Sequence, residues 1–429
     1  MDSRHCEFLI VGSGAGGATL ARELGKRGRD VIVVERGVYG QQLGNFRSSL
    51  AFFDANKVTK VPRKSKEGVI LWRTLMAGGS TVVSCGNATR CLEEELAEFG
   101  ITLDSDFAEA ESEMKVAPIA EALLSDGSKA IRRASNELGY EMKLMPKFVD
   151  PEKCMKCGQC VFGCPRDAKW TALDYLDEAA DSGVEIIYGI AVESVLVDNN
   201  TALGVICAGS DGTVEIQADV TILAAGGFGT PVILQQSGIE EAGKGLFIDL
   251  LVNTYGVTDG LNMMREPTMA LVNHEFHKEK GFILSPYVNH PKMVRFMELG
   301  TKGLGLPDRK LIGIMTKTAD DPAGEIFPDG TVSKPVTDND WKRLREGAAI
   351  AEEILVKAGA NRKSIVTSAP QGAHPGGTAA IGKIVDRNLE TEIGNLFVCD
   401  GSVLPTAPGL PPILTIVALA KRLARTLTS

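Results

Sequence analysis

Histidine is scarce in this sequence, with five in 429 residues. A reaction that needs an imidazole to move a proton therefore has few places to put it. No stretch of 18 apolar residues occurs, which predicts that no helix crosses a membrane. No long run of one charge sign occurs and the net charge is −9, so a basic face for nucleic acid is not expected. The opening, MDSRHCEFLIVGSGAGG, has no charged n-region followed by a long apolar h-region. No secretory signal is read there, and a cytoplasmic protein is expected.

What is present reads as a globular protein. Hydrophobic residues make up 44% of the chain and charged residues 24%. That balance supports a real core. The length suggests two or three compact units, or one nucleotide domain carrying an insertion. Nine cysteines occur without a signal. They point to a reducing interior, where clustered cysteines hold metals more often than disulfides.

The first forty residues carry a dinucleotide pattern. Glu7 to Val11 is a short apolar run with the pattern of a buried parallel strand. Gly12-Ser13-Gly14-Ala15-Gly16-Gly17 follows as G-x-G-x-x-G, then a helix from Ala18 to Arg27, then a second strand from Asp30 to Glu35. Gly12 permits the tight turn, Gly14 lets the backbone approach a pyrophosphate, and Gly17 lets helix and strand pack closely. The helix N-terminus offers unpaired N–H groups to phosphate. Glu35 ends the second strand, where a carboxylate binds a ribose diol. The motif alone does not separate FAD from NAD.

Three later stretches narrow the choice: Met76 to Val83, Ala224 to Pro231, and a C-terminal set. That set contains His374-Pro375-Gly376-Gly377-Thr378, Asn395 to Ser402, and Leu414 to Ala420. Taken in order with the glycine loop, they resemble the glucose–methanol–choline (GMC) family of FAD oxidoreductases. The resemblance implies an α/β fold: a Rossmann-like FAD-binding domain with a parallel sheet and helices, plus a smaller α+β substrate domain with an antiparallel sheet. The expected division is 1–240 for the first part of the FAD domain, 241–372 for the substrate domain, and 373–429 for the rest of the FAD domain. It also implies roles. Gly12, Gly14, Ala15, Gly17, Glu35 and Arg36 hold the ADP half of FAD. Gly78, Gly79 and Ser80 run beside the pyrophosphate and flavin, and Val192 touches the adenine. Ala225 and Gly226 close over the nucleotide, and Asp400 and Gly401 contact pyrophosphate and ribityl. Leu414 and Thr415 begin a helix aimed at the flavin, where its dipole favours negative charge. His374 stands where the family keeps its catalytic base, and an imidazole suits removal of an alcohol proton.

Two departures stand out. Relatives carry a second His or Asn before the C-terminal Thr-Ile pair, but here Pro411 and Pro412 occupy that place. Asn289 and His290 are possible substitutes by composition. Ser84 stands where relatives have Asn. The segment from 241 to 372 contains strand-like Thr268–Val272 and Lys310–Met315. A helix is expected over Asp338–Lys357, capped by Asp338 or Asn339.

Cys154, Cys157, Cys160 and Cys164 fall as C-x2-C-x2-C-x3-C with Pro165 after the last, in a loop over 150–170. That is the spacing of bacterial ferredoxins. A [4Fe–4S] cluster is expected, its fourth ligand either Cys164 or a remote cysteine such as Cys85 or Cys91. Zinc and unmetallated thiols are the alternatives. The sequence thus predicts a FAD dehydrogenase acting on an alcohol or carbonyl substrate. Its electrons would pass through the cluster to a protein acceptor such as a ferredoxin or partner subunit. The competing readings are a C–C bond reductase or desaturase, and an electron-transfer subunit of a larger complex.

Overall fold

The protein is described by a computed structural model covering residues 4–56, 62–209, 212–307 and 310–429. The first three residues of the N-terminal stretch lie outside it. Among the described residues, no helix is long and apolar enough to cross a membrane.

The first sheet is built on buried parallel strands. Arg4–Val11 lies between Val31–Glu35 and the long strand Gly212–Leu223, all parallel. Glu185–Tyr188 extends one side, and Leu396–Val398 adds to the far half of Gly212–Leu223. Phe8 to Val11 and Val31 to Val34 are almost wholly buried, as strands covered on both faces must be. The near half of Gly212–Leu223 turns into an antiparallel meander with Thr201–Gly209 and Ala191–Asp198. Helix Ala15–Lys26 packs beside the C-terminal helix Ile413–Leu427. The expected Rossmann-like unit is therefore present, and the C-terminus is part of it.

The second sheet has the order Phe282–Pro286, Leu311–Thr318, Leu251–Val257, Gln371–Gly372, Ile70–Leu71. Its first three strands are antiparallel. Helix Asp338–Lys357 packs on those three strands and matches the range read from sequence. Its cap is Thr337, one residue earlier than expected, paired reciprocally with Asp340. Such a box satisfies two orphan donors at once. The strand expected over Thr268–Val272 shrinks to Leu271–Val272. Met269 takes left-handed backbone, which breaks an extended run.

Candidate active site

Where the first strand meets its helix, the chain makes a turn that only glycine fits. Gly12 has φ +103°, and a Cβ there would stand 2.4 Å from the Ala224 carbonyl oxygen. Glycine alone tolerates both conditions. Gly14 is different. Its φ of −71° is open to any residue, and a Cβ would meet nothing within 4 Å. The missing side chain leaves space for a ligand rather than for the protein.

That space is the end of a groove of about 620 Å³ that runs to His374. Gly12, Gly14, Ala15, Glu35 and Arg36 line it, as do Gly79, Ser80 and Val192. Ala225, Gly226, Asp400, Gly401 and His374 also face it. Glu35 accepts from the Ser13 amide (2.9 Å) and hydroxyl (2.7 Å) and from the Gly37 amide (2.6 Å). A carboxylate has about four acceptor sites, so one remains for a ribose hydroxyl. Asp400 ties the glycine-rich start of helix Gly226–Gln236 in place, accepting from the Gly226 amide at 2.8 Å and the Thr230 hydroxyl at 2.6 Å. A strand-end carboxylate, an open Gly14 and a helix start along one groove are a donor set that fits FAD.

Four expected contact residues do not line the groove. Gly17 lies against Gly12, where a Cβ would be 1.9 Å from its carbonyl oxygen. The Gly78 amide donates to Ser13 Oγ at 3.1 Å. Leu414 is buried, and Thr415 Oγ1 donates to the Cys91 carbonyl at 3.0 Å. Ile413 and Ile416 take the groove-facing positions of that helix.

At the far end, His374 Nδ1 lies 2.9 Å from Asp249 Oδ2. Asp249 is fully buried, and its other oxygen accepts from the Gly409 amide at 2.8 Å. An aspartate against Nδ1 fixes the Nδ1–H tautomer, which leaves Nε2 as the basic nitrogen. Burial pushes the imidazole below the usual histidine range; the Lys317 cation adds to this, and Asp249 opposes it. A lowered value favours the neutral ring, the form a general base requires.

Neither Asp249 nor Lys317 was read from the sequence. Lys317 lies near the end of the strand Leu311–Thr318, whose every residue is buried. A charged residue at the end of an apolar strand was the available signal. Lys317 Nζ stands 3.7 Å from Asp249 Oδ2 and has no hydrogen-bond partner among the described residues. Pro411 and Pro412 do face the groove. Asn289 faces it too, but its amide donates to Tyr287 (2.9 Å) and Glu298 (3.0 Å). His290 is stacked on Phe46, with ring centroids 5.4 Å apart, and does not line it.

Behind this groove lies a second, small cavity of about 30 Å³. Cys154, Cys157, Cys160 and Cys164 all line it, whereas Cys85 faces the main groove and Cys91 bonds to Thr415. All nine cysteines are unpaired thiols. The loop takes left-handed backbone at Lys156 and Asp167, a cost held at functional sites. The Ala168 amide lies 3.3 Å from Cys164 Sγ. Among the described residues, no three of these thiols lie within 4.8 Å of one another.

Two buried lysines flank the loop, neither hydrogen-bonded to a carboxylate among the described residues. Lys147 Nζ donates to the carbonyls of Cys85 (2.8 Å) and Thr268 (2.9 Å), and also to Asn87. Lys169 Nζ donates to the Cys160 carbonyl at 3.0 Å and to that of Ser84. Burial brings Lys147 down to about 8 and lowers Lys169. Buried cations of this kind favour a nearby anion.

Comparison with known proteins gives a consistent pattern. Two family models, each described as GMC oxidoreductase, match residues 6–251 and 313–420. An uncharacterised protein of Methanocaldococcus jannaschii is 32% identical, covering 98% of this chain and 99% of its own length. A long-chain-alcohol oxidase of Arabidopsis thaliana is 25% identical, over 100% of this chain and 70% of its own. The crystal structure of a pyridoxine 4-oxidase from Mesorbium loti superposes with a TM-score of 0.77 at 17% identity, covering 98% of this chain and 99% of that one.

Proposed function

We propose that this chain, which belongs to the GMC oxidoreductase family, is a FAD-dependent dehydrogenase that oxidises an alcohol CH–OH to a carbonyl, or runs the reverse. The carrying observation is His374, held by Asp249 at 2.9 Å with its basic nitrogen left for the groove. Bound FAD would take the hydride from carbon. His374 Nε2 takes the hydroxyl proton, and Asp249 holds the ring in the tautomer that permits this. Gly12, Gly14, Ala15, Glu35 and Arg36 would hold the ADP half, with Gly17 packed against Gly12 to bring the helix start close. Gly78, Gly79, Ser80, Val192, Ala225, Gly226, Asp400, Gly401, Leu414 and Thr415 would follow along the rest, Leu414 and Thr415 through their backbone at the helix start. Residues 1–240 and 373–429 would form the FAD domain, and 241–372 the substrate domain. The plant relatives are long-chain-alcohol oxidases, which favours an alcohol donor.

Within the same reading, Cys154, Cys157, Cys160 and Cys164 hold a [4Fe–4S] cluster. The cavity that all four cysteines line supports it, as do Lys147 and Lys169, neither hydrogen-bonded to a carboxylate among the described residues. Such a cluster would pass electrons singly to a protein acceptor such as a ferredoxin or a partner subunit. The arrangement of the chain suits that: Cys160 lines the cysteine cavity while Val161, next to it, lines the groove. Nine unpaired thiols favour a reducing cytoplasm. Pro411 and Pro412 in the groove favour one alternative, reduction or desaturation at a C–C bond.

The test is anaerobic flavin bleaching by a panel of primary alcohols, in the holoprotein and in His374→Ala. Bleaching that His374→Ala slows supports alcohol oxidation. A flavin that no alcohol bleaches, but that a C–C substrate or a reduced partner does, overturns it.

A further inference from the structure

Lys317 is the feature the alcohol reading leaves unused. Its side chain is 1% exposed, lines the groove beside His374, and has no hydrogen-bond partner among the described residues. A buried ammonium without a partner is costly. Asp249 Oδ2, at 3.7 Å, supplies charge but not a hydrogen bond. The same carboxylate oxygen holds His374 Nδ1, so base and ammonium are anchored together. The side chain expected at 411–412 is proline and offers no donor.

We propose that Lys317 holds the reacting oxygen of the substrate, and that this substrate is an uncharged alcohol on an apolar carbon body. The inference rests on the alcohol reading and adds to it the binding group and the substrate class. In the step, the hydroxyl proton moves to His374 Nε2, the hydride leaves carbon for the bound flavin, and the C–O bond becomes C=O. Lys317 keeps its proton and donates a hydrogen bond to the oxygen as negative charge gathers there.

Charge on the wall decides the class. Burial pushes Lys317 below the usual lysine range and Asp249 opposes this; as an ammonium it forms a neutral pair with Asp249, so an uncharged alcohol leaves the pocket balanced. A carboxylate would place a second negative charge beside Asp249. Asn253, opposite Met315 in the same sheet, also lines the groove, and its Oδ1 is a buried acceptor without a partner among the described residues. Leu251, Met269, Met293 and Met315 supply the apolar surface for a carbon body.

The test uses probes too poor as hydride donors to react. The holoprotein is titrated with trifluoroethanol and with trifluoroacetate, matched in size, while the flavin absorbance is followed. Trifluoroethanol should bind more tightly than trifluoroacetate. Lys317→Met should weaken trifluoroethanol roughly 10-fold or more, the loss expected for a hydrogen bond from a charged donor. Lys317→Gln, which keeps an N–H but not the charge, should fall between. FAD content and melting temperature check that each variant folds. Equal affinity in wild type and both variants overturns the proposal, as does an unperturbed wild-type spectrum or tighter trifluoroacetate. Lys317-dependent trifluoroethanol binding without alcohol bleaching would leave the binding group standing and sink alcohol oxidation. Alcohol bleaching equally fast in wild type and Lys317→Met would do the reverse.

Discussion

At the scale of single residues, the proposed alcohol oxidation concentrates its chemistry on His374. A general base contributes about 10²–10⁴-fold, so His374→Ala should slow flavin reduction by that range without loss of FAD. Its pH dependence has a definite sign. Burial first, and Lys317 second, hold the imidazole below its usual value near 6.5, against the pull of Asp249. The acid limb of the rate profile should therefore fall below about pH 6.5, with rate rising as the ring loses its proton. In Lys317→Met that limb should move to higher pH, because the opposing cation is gone while Asp249 remains. A stopped-flow profile of flavin reduction measures both. His374 was legible because it sits in a motif. Asp249 and Lys317 were not, because each is a lone charged residue whose meaning depends on strands that meet only in the fold.

At the scale of elements, the glycine loop and the helix pack are open to separate tests. Gly14→Ala should leave the chain folded, since a Cβ there touches no protein atom, but should weaken FAD retention. Circular dichroism and the ratio of flavin to protein absorbance separate the two effects. The C-terminal helix is held differently. Lys421, almost fully buried, pairs with Glu23 (3.0 Å), Glu109 (2.9 Å) and Glu113 (2.8 Å), joining three helices. Arg22 pairs with Glu23 and Glu113 in the same cluster. Removing one partner of a buried pair costs about 3–5 kcal/mol, so Lys421→Met should lower stability by that order in urea melts. Burial pushes Glu23 and Glu113 up, but their cationic and hydrogen-bonding neighbours outweigh it and both carboxyls sit low. Their contribution is therefore full above the ordinary glutamate value of about 4.3 and is lost as pH falls through the lowered one. Strand and helix positions were readable from periodicity, including all of Asp338–Lys357. The strand at Thr268–Val272 was misread because the left-handed turn at Met269 leaves no mark in an apolar run.

At the scale of the whole molecule, two cavities lie back to back. One fits a dinucleotide and ends at a base; the other is ringed by four thiols. Glycine spacing pointed to the first; cysteine spacing singled out the four residues that line the second. The sequence did not announce that Cys160 and Val161 divide them, or that Lys169 links the Cys160 and Ser84 carbonyls across the divide. Those relations need residues far apart in sequence to meet. Cys157→Ser should cost the protein its iron while leaving the flavin in place. The enzyme would then reduce its flavin with alcohol but fail to reduce a one-electron protein carrier.

The most direct measurement is iron and acid-labile sulfide per FAD on protein purified without air, with an EPR spectrum after reduction. The account predicts about four irons per flavin and a reduced-cluster signal. FAD without iron would contradict the electron-exporting dehydrogenase and return Cys154 to Cys164 to a structural role.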